Sequence, residues 1–225
     1  MGGMPRIARI VATGYPHHLV QRGYNREKVF FNQDDYEKYL SFLARYSQKK
    51  KTSILAYCLL PNRVHLLIRP SGEGALAKMM QDLTLCYTQY LNREKGRTGR
   101  LSECRYHSSV MDKDRYLWAV SKYIKNNPVR TEIVKGPEDY PYSSAKAHIL
   151  GKQNPLLKEP LFDNNELNEY RKLMKTKENK QVIEEIRKQT ILGKSLGDST
   201  FLKILSERLG CSLSFRSRER PRRTK

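Results

Sequence analysis

The order of predicted elements indicates an α+β fold: a ferredoxin-like antiparallel sheet with helices on one face, followed by a small helical C-terminal extension. Three observations predict this fold. Short β-rich segments alternate with two long amphipathic segments in the order β-α-β-β-α-β, and the pattern after about residue 150 is all helical. In this split βαβ order, the first and third strands are central neighbours. A chain of 225 residues is long enough for one such domain with an appendage.

The first half of the pattern gives three strands and one helix. His17–Arg22 is short and β-rich, so we expect a strand. Gln33–Lys49 carries tyrosines and leucines at three- and four-residue spacing, which predicts a helix with one apolar face. Thr52–Leu60 is apolar and rich in β-formers, and Arg63–Arg69 follows it after a Pro-Asn pair typical of a turn. These two segments predict a hairpin.

The second half of the pattern adds two helices and a strand. Leu76–Arg93 is predicted to be a long helix and Tyr106–Met111 a short strand. Asp112 is a suitable N-cap for a helix over Lys113–Asn127, and Pro128 is expected to end that helix.

Composition divides the chain into four parts. Residues 1–150 hold the α/β pattern, and residues 151–160, with two prolines and a glycine, predict a linker. In residues 161–213, Glu178–Gln189 and Ser199–Leu209 predict either a helix-turn-helix-like element or a small bundle packed on the main domain. Residues 214–225 are a basic tail that includes Arg222 and Arg223, and it is either a minor-groove arm or a solvated run of charge.

The net charge indicates nucleic acid as a partner. Lys and Arg number 43 against 23 Asp and Glu, which gives a formal net charge of +20. This excess is typical of nucleic-acid-binding proteins, although a ribosome-associated or merely soluble basic protein would also show it. No apolar run approaches the ~18–20 residues needed to span a bilayer, and the N-terminus lacks the apolar core of a secretory signal. We therefore expect a cytoplasmic, nucleoid-associated protein with no membrane partner.

Two segments carry residues that could perform chemistry. In the second strand of the predicted hairpin, Arg63 and His65 share one face because side chains alternate. Taken alone, a buried histidine is more often a hydrogen-bonded core residue than a ligand. In the helix predicted after the last strand, Tyr123 and Asn127 are neighbours at i and i+4. Packed against the strand, this tyrosine would be a nucleophile beside a metal site; the alternative is that it only closes the edge of the core.

Several stretches of sequence resemble the REP-associated tyrosine transposases, which belong to the single-tyrosine HUH (His-hydrophobic-His) transposases. They occur in the family's order, at similar spacing, across about residues 5–150. They are PHHLVQRGYNREKVFF (Pro16–Phe31), AYCLLPNRVHLLI (Ala56–Ile68), CRYHSSVMDKDRYL (Cys104–Leu117), KYIKNNPVR (Lys122–Arg130) and PEDYPYSS (Pro137–Ser144). A further stretch, Gly193–Gly210, resembles the C-terminal extension of some members.

The resemblance implies metal-assisted cleavage and rejoining of single-stranded or hairpin DNA, with repetitive palindromic elements as the partner. Tyr123 would be the catalytic residue, forming a 5′-phosphotyrosine link. A Mg²⁺ or Mn²⁺ ion would polarise the phosphate from positions occupied here by Arg63, His65 and Asn127. Related enzymes work as homodimers or as monomers, and the sequence leaves both states open.

Arg63 departs from the family pattern, which has histidine at this position. A guanidinium group has no acceptor lone pair and stays charged, so Arg63 cannot be a metal ligand. Three interpretations follow: a DNA-binding protein that has lost cleavage, an enzyme that recruits another ligand or clamps the phosphate with Arg63, or an arginine introduced into an otherwise active enzyme. His18 and Gln21, on the neighbouring strand, are the candidate substitute ligands.

Basic residues in loops are the candidate DNA contacts, since they can neutralise phosphates without reading sequence. Each could instead belong to a solvated loop. Besides Arg63, Arg222 and Arg223, they are Arg22, Arg26, Lys28, Arg97, Arg100, Arg105 and Arg130. A non-catalytic DNA-binding protein is the main competing hypothesis, and an RNA-binding protein on a ferredoxin-like sheet is a weaker one because the strands show no clear RNA-binding pattern.

Overall fold

The computed structural model describes residues 9–211 and residue 213. Its strands are β1 (His17–Arg22), β2 (Thr52–Leu60), β3 (Arg63–Pro70) and β4 (His107–Val110). Its helices are α1 (Gln33–Lys49), α2 (Ala75–Glu94), α3 (Lys113–Lys125), α4 (Asn127–Arg130), α5 (Ala145–Leu150), α6 (Leu167–Lys175), α7 (Lys180–Leu192) and α8 (Ser199–Leu209). Arg222 and Arg223 in the basic tail lie outside the described residues.

The four strands form one antiparallel sheet in the order β2-β3-β1-β4. β1 and β3 are central neighbours, as the sequence predicts, with Val20 opposite His65 and Arg22 opposite Arg63. The edge at β4 is partly covered by the segment that joins α7 to α8. There Leu196 forms a bridge with Met111, and its backbone amide donates to the Val110 carbonyl at 2.8 Å.

Helices cover both faces of the sheet. α1 and α2 pack together and against one face, where strand residues such as Leu19 and Leu66 join the core. α3 packs on β2 and β3 from the other side, where Leu60 and Leu67 are buried, and α7 packs there on β1 and β4. The expected sheet and helices are present, but the prediction of helices on one face omitted this second layer. The strands are buried on both faces, and such strands need cover on both sides.

The helix expected to run to Asn127 ends at Lys125, and a short second helix follows it. Pro128 lies inside that second helix rather than after the first. Proline has no backbone N–H to donate to the carbonyl four residues earlier. The Asn127 side chain supplies a donor in its place, because its amide nitrogen lies 3.2 Å from the Ile124 carbonyl and 3.1 Å from the Tyr123 carbonyl. Asn127 therefore caps the helix that carries Tyr123.

A tight turn follows β1 and sets the direction of its basic residues. A Cβ atom at Gly23 would lie 2.2 Å from the Glu27 carbonyl oxygen, so only glycine fits there. The backbone of Gly23 donates to the Asn62 carbonyl at 3.0 Å, and that of Tyr24 to the Leu101 carbonyl at 2.8 Å. The turn is thus held by the main chain.

The C-terminal part of the chain packs on the sheet domain. The helix predicted over Glu178–Gln189 is observed as α7, shifted by two to three residues, and α8 has the predicted bounds. The stretch between α5 and residue 164 contains no strand or helix, yet Leu156 is buried in the core under α1 and α2. Arg69 of β3 also forms an ion pair with Glu159 in this stretch. No described helix is long and apolar enough to cross a membrane.

Candidate active site

Strand alternation places four polar residues on the sheet face that α3 covers. His65 and Arg63 of β3 pair with Val20 and Arg22 of β1, and cross-strand partners share a face. His18, two residues before Val20, lies on this face as well. These side chains stand side by side beneath α3 although they come from distant parts of the chain.

Gln21 points to the opposite face, so its prediction as a substitute ligand is wrong. It is one residue out of phase with His18 and Arg22, and its amide nitrogen donates to the Thr84 hydroxyl of α2 at 3.1 Å. The sequence alone left open which of His18 and Gln21 faces the site. Because side chains alternate along a strand, the structure places His18 on the site's face and Gln21 on the other.

Tyr123 of α3 lies against the two histidines. Its ring centroid is 5.6 Å from that of His18 and 5.8 Å from that of His65, with the tyrosine ring nearly perpendicular to both. The side chain of Tyr123 is only 5% exposed. The structure therefore brings together the tyrosine and the histidine that the sequence predicts for one site.

The histidines are bonded to each other and to the C-terminal extension. His18 Nε2 lies 3.2 Å from His65 Nδ1, and His18 Nδ1 lies 2.9 Å from the Thr190 hydroxyl of α7. Burial lowers the pKa of His18 to about 3. Burial also lowers the pKa of His65 well below its ordinary value, with further contributions from His18 and from Arg63. Both rings are therefore neutral at pH 7.

Arginines surround this pair. Arg22, Arg26 and Arg63 line a cavity of about 170 Å³ together with Asn62. Burial lowers the pKa of Arg63, and the nearby charge of Arg22 lowers it further. Cations gathered in this way repel one another, and a negative group bound between them would relieve that repulsion.

Two more arginines face Tyr123. The Arg130 guanidinium lies 4.4 Å from the centre of the tyrosine ring, and that of Arg187, on α7, lies 5.9 Å from it. Arg130 also donates to the Tyr123 carbonyl and forms an ion pair with Glu178. The tyrosine thus lies between neutral imidazoles and fixed positive charge.

A family description, IS200-like transposases, matches residues 12–127, which span the sheet, Tyr123 and Asn127. The chain belongs to the IS200-like transposase family. A Haemophilus influenzae protein assigned as a REP-associated tyrosine transposase is 30% identical over 100 residues. That match covers 40% of this chain and 57% of the relative, so it spans little more than half of the relative's length.

One solved structure shares the fold of this chain. A REP-associated tyrosine transposase bound to a REP hairpin superposes with a TM-score of 0.57 at 16% identity, covering 71% of this chain and 94% of that one. A structure assigned as a transposase from Deinococcus radiodurans reaches a TM-score of only 0.38 at 15% identity, over 56% of this chain and 96% of that one. The likeness to the hairpin-bound transposase therefore shows the fold of this chain.

Members of the IS200-like family generally use a divalent metal, which needs donor atoms with free lone pairs. His65 Nε2 is buried and has no hydrogen-bond partner among the described residues, so one lone pair is free. Both nitrogens of His18 are engaged, and Arg63 has no lone pair. Asn127 binds backbone carbonyls through its amide nitrogen, and these bonds leave its Oδ1, the atom that could ligate a metal, unused. The described part of the chain contains no group of three or more His, Cys, Asp or Glu residues that could hold a metal. His65 Nε2 and Asn127 Oδ1 are thus the two donors left for a divalent ion, one fewer than the family pattern supplies, and their roles as ligands stay predictions.

Three of the remaining predicted DNA contacts, Arg97, Arg100 and Lys28, lie near the turn that follows β1. Arg97 approaches Glu27 at 3.9 Å, and Arg100 stacks over Tyr24 at 4.1 Å from the ring centre. Tyr24 is 42% exposed. Lys28 is exposed near them, and Arg105 lines a separate cavity beside α2. Their DNA-binding roles stay predictions.

Sequence reasoning missed two residues of the site, Thr190 and Arg187. Both come from α7, outside the stretch that matches the family. The amphipathic pattern predicts that α7 is a helix, but nothing in the sequence indicates that its threonine reaches a histidine 172 residues earlier. Only the packing of α7 across β1 and β4 places them there.

Proposed function

We propose that this protein cuts one strand of single-stranded or hairpin DNA through Tyr123 and rejoins it. The observation that carries the proposal is the position of Tyr123 against two neutral, buried histidines and beneath Arg130 and Arg187. A tyrosine that served only as packing would not need this much positive charge around it.

The reaction is a transesterification. The Tyr123 oxygen attacks the backbone phosphorus, the P–O bond to the 3′ oxygen breaks, and the strand leaves with a 3′-hydroxyl end. A 5′-phosphotyrosine link holds the other end, and attack by a 3′-hydroxyl reverses the step. One phosphoester replaces another, so no ATP is consumed.

The arginines stabilise the phosphate as negative charge builds on its oxygens. Arg63, Arg22 and Arg26 share one small cavity, and guanidinium groups pair with phosphate oxygens bidentately. Donors fixed in advance around a developing charge are usually the largest electrostatic contribution to catalysis. In this chain Arg63 binds the phosphate from the position that histidine holds in the family pattern.

Single-stranded or hairpin DNA, including repetitive palindromic elements, is the proposed partner. The structural relative with the same fold was solved with a REP hairpin bound. Tyr24 and Arg100 form an exposed stacked pair beside the arginine cavity, and such pairs can stack on unpaired bases. A homodimer and a nucleoid location are further predictions, to be tested by sedimentation and by localisation in cells.

A non-catalytic DNA-binding protein is the second candidate, and Arg63 favours it. Arg63 removes one ligand of the family pattern, and its charge opposes a dication. The low exposure of Tyr123 also favours this candidate, because an attacking group must reach its phosphate.

The test is a denaturing-gel assay for a covalent protein–DNA adduct. Labelled hairpin DNA with single-stranded flanks is incubated with the wild type, Tyr123→Phe and Arg63→His, each with Mg²⁺, with Mn²⁺ and with a chelator. An adduct in the wild type that disappears in Tyr123→Phe supports the enzyme, and its persistence with the chelator supports the arginine site. An adduct only in Arg63→His with metal, alongside DNA binding by the wild type, supports the non-catalytic candidate.

A further inference from the structure

The C-terminal extension contributes a side chain to the candidate site. Thr190 of α7 is buried, at 1% exposure, and its hydroxyl lies between His18 Nδ1 at 2.9 Å and the Ile186 carbonyl at 2.7 Å. This helix lies outside the family match at residues 12–127. A hydroxyl with two polar partners on a helix that covers the site can orient the hydrogen bonds of the histidine that it contacts.

The directions of these hydrogen bonds follow from what each atom can donate. A carbonyl only accepts, so the single hydroxyl hydrogen of Thr190 is directed to Ile186. The Thr190 oxygen must then accept from His18, which places the hydrogen of the neutral His18 ring on Nδ1. His18 Nε2 consequently has a lone pair and accepts from His65 Nδ1–H at 3.2 Å.

The same chain of bonds determines the state of His65. Its one ring hydrogen is on Nδ1, so its Nε2 has a lone pair. This nitrogen is buried and has no hydrogen-bond partner among the described residues. Burying an unpaired polar atom costs free energy, and such an atom in a native structure calls for an explanation.

We propose that Thr190 is a positioning residue that fixes the tautomers of His18 and His65, so that His65 presents a bare acceptor to the Tyr123 site. The consequence for catalysis rests on the proposed strand cleavage, whereas the tautomers themselves do not. The arginines around Tyr123 offer only donors. His65 Nε2 is a buried acceptor without a partner among the described residues, on a ring whose centroid lies 5.8 Å from that of Tyr123. In the proposed reaction the tyrosine hydroxyl directs its hydrogen to this nitrogen while its oxygen lone pair faces the phosphate.

Nitrogen NMR of ¹⁵N-histidine-labelled protein at neutral pH tests the assignment without measuring activity. The five histidines are assigned by single His→Gln substitutions. In the wild type we expect pyrrole-type Nδ1 and pyridine-type Nε2 signals for both His18 and His65. In Thr190→Val, which keeps the shape and loses the hydroxyl, His65 is expected to gain a pyrrole-type Nε2 signal. Thr190→Ser is expected to restore the wild-type pattern.

Ser195→Ala is the matched control, because Ser195 is also buried on the C-terminal segment and its hydroxyl has no hydrogen-bond partner within the part of the chain that the structure describes. It is expected to leave the histidine signals unchanged. A wild-type spectrum with hydrogen on His65 Nε2, or a Thr190→Val spectrum identical to the wild type, would overturn the proposal. If Thr190→Val does not fold, the wild-type spectrum still tests which nitrogens of His18 and His65 carry hydrogen.

Adduct formation gives a second readout. Loss of a group that orients a histidine typically costs about 10–100-fold. We expect Thr190→Val to slow adduct formation by about that factor, with unchanged DNA affinity and rescue by Thr190→Ser. Expected spectra without any wild-type adduct would reject strand cleavage and support the tautomer assignment. Expected spectra with full adduct formation in Thr190→Val would overturn the positioning role.

Discussion

The two faces of the sheet are built from different chemistry. Under α1 and α2 the core is apolar and aromatic, and the ring of Phe30 contacts those of Tyr36, Tyr39 and Tyr87 at 4.3, 5.4 and 5.5 Å. Under α3 and α7 the buried groups include imidazoles and amines. The first face supplies stability with few polar groups, and the second places polar groups where they are costly to bury unless they are bonded to each other.

Lys125 shows this contrast most clearly. It is fully buried, and its ammonium nitrogen lies 2.8 Å from the Ser121 hydroxyl and 2.7 Å from the Tyr170 hydroxyl. Burial lowers its pKa well below the ordinary value of lysine. Lys125 is on the same helix as Tyr123, so the polar network that joins α3 to α6 also holds the helix of the candidate nucleophile.

The largest expected effect separates the tyrosines of the two faces. Tyr123→Phe is expected to reduce adduct formation by at least about 10³-fold, as loss of a nucleophile does, with little change in stability. Tyr39→Phe is the matched change on the other face, where the tyrosine hydroxyl is buried and has no hydrogen-bond partner among residues 9–211 and 213. It is expected to keep full adduct formation. Equal loss of adduct in both variants would show that the two faces do not differ in this way.

The next effect concerns stability. Phe30 is 2% exposed among aromatic rings, so Phe30→Ala is expected to lower the free energy of unfolding by about 3–5 kcal/mol in urea titrations. Its neighbour Phe31 is 48% exposed, and Phe31→Ala is expected to change stability by no more than about 0.5 kcal/mol. A small effect at Phe30 would mean that the aromatic core does not carry the stability of this face.

The polar face is expected to make the free energy of unfolding depend on pH through Lys125. The pKa of Lys125 is lower in the folded protein, so above that value the unfolded chain binds a proton that the folded one does not. Stability should therefore rise with pH up to about 10.4, by at most about 1.4 kcal/mol per unit. Lys125→Met is expected to remove this contribution, measured as unfolding free energy across that range. Lys113→Met, at an exposed position of the same helix, is expected to keep it. An unchanged slope in Lys125→Met would contradict the prediction.

The smallest effect concerns binding. Arg26→Ala removes one guanidinium from the arginine cavity, and we expect DNA affinity to fall with a salt dependence shallower by about one phosphate contact. Arg45, exposed on α1, is the matched residue of the other face, and Arg45→Ala is expected to leave both quantities unchanged. Fluorescence anisotropy at several salt concentrations measures both. Equal losses of DNA affinity in Arg26→Ala and Arg45→Ala would show that positive charge contributes to binding equally from both faces of the sheet.

Most of the fold was predictable from local pattern. Alternation and three- to four-residue spacing predicted the strands and long helices, because those periods are properties of the backbone. The helix expected to end at Asn127 was misjudged, since the pattern does not show that the Asn127 side chain can supply a donor where Pro128 has none. The second helical layer was missed because apolar strands show that a face is covered without showing by which element.

The candidate site was predictable only in part. The strand period placed His65 and Arg63 together, and the family resemblance indicated Tyr123. Thr190 could not be predicted, since its contact with His18 joins residues 172 positions apart and depends on how α7 docks. Long-range side-chain contacts of this kind leave no periodic trace in the sequence.

The turn after β1 has a consequence for how such a protein can diversify. Gly23 and main-chain hydrogen bonds fix its path, and the exposed side chains of Tyr24 and Lys28 make none of these bonds. Asn25 has a φ of 48°, a left-handed backbone that asparagine tolerates better than most residues. Substitutions at Tyr24 and Lys28 therefore leave the backbone that carries Arg22 and Arg26 in place. Descendants of this sequence could exchange the outer surface of the turn at these two positions without rebuilding the fold beneath.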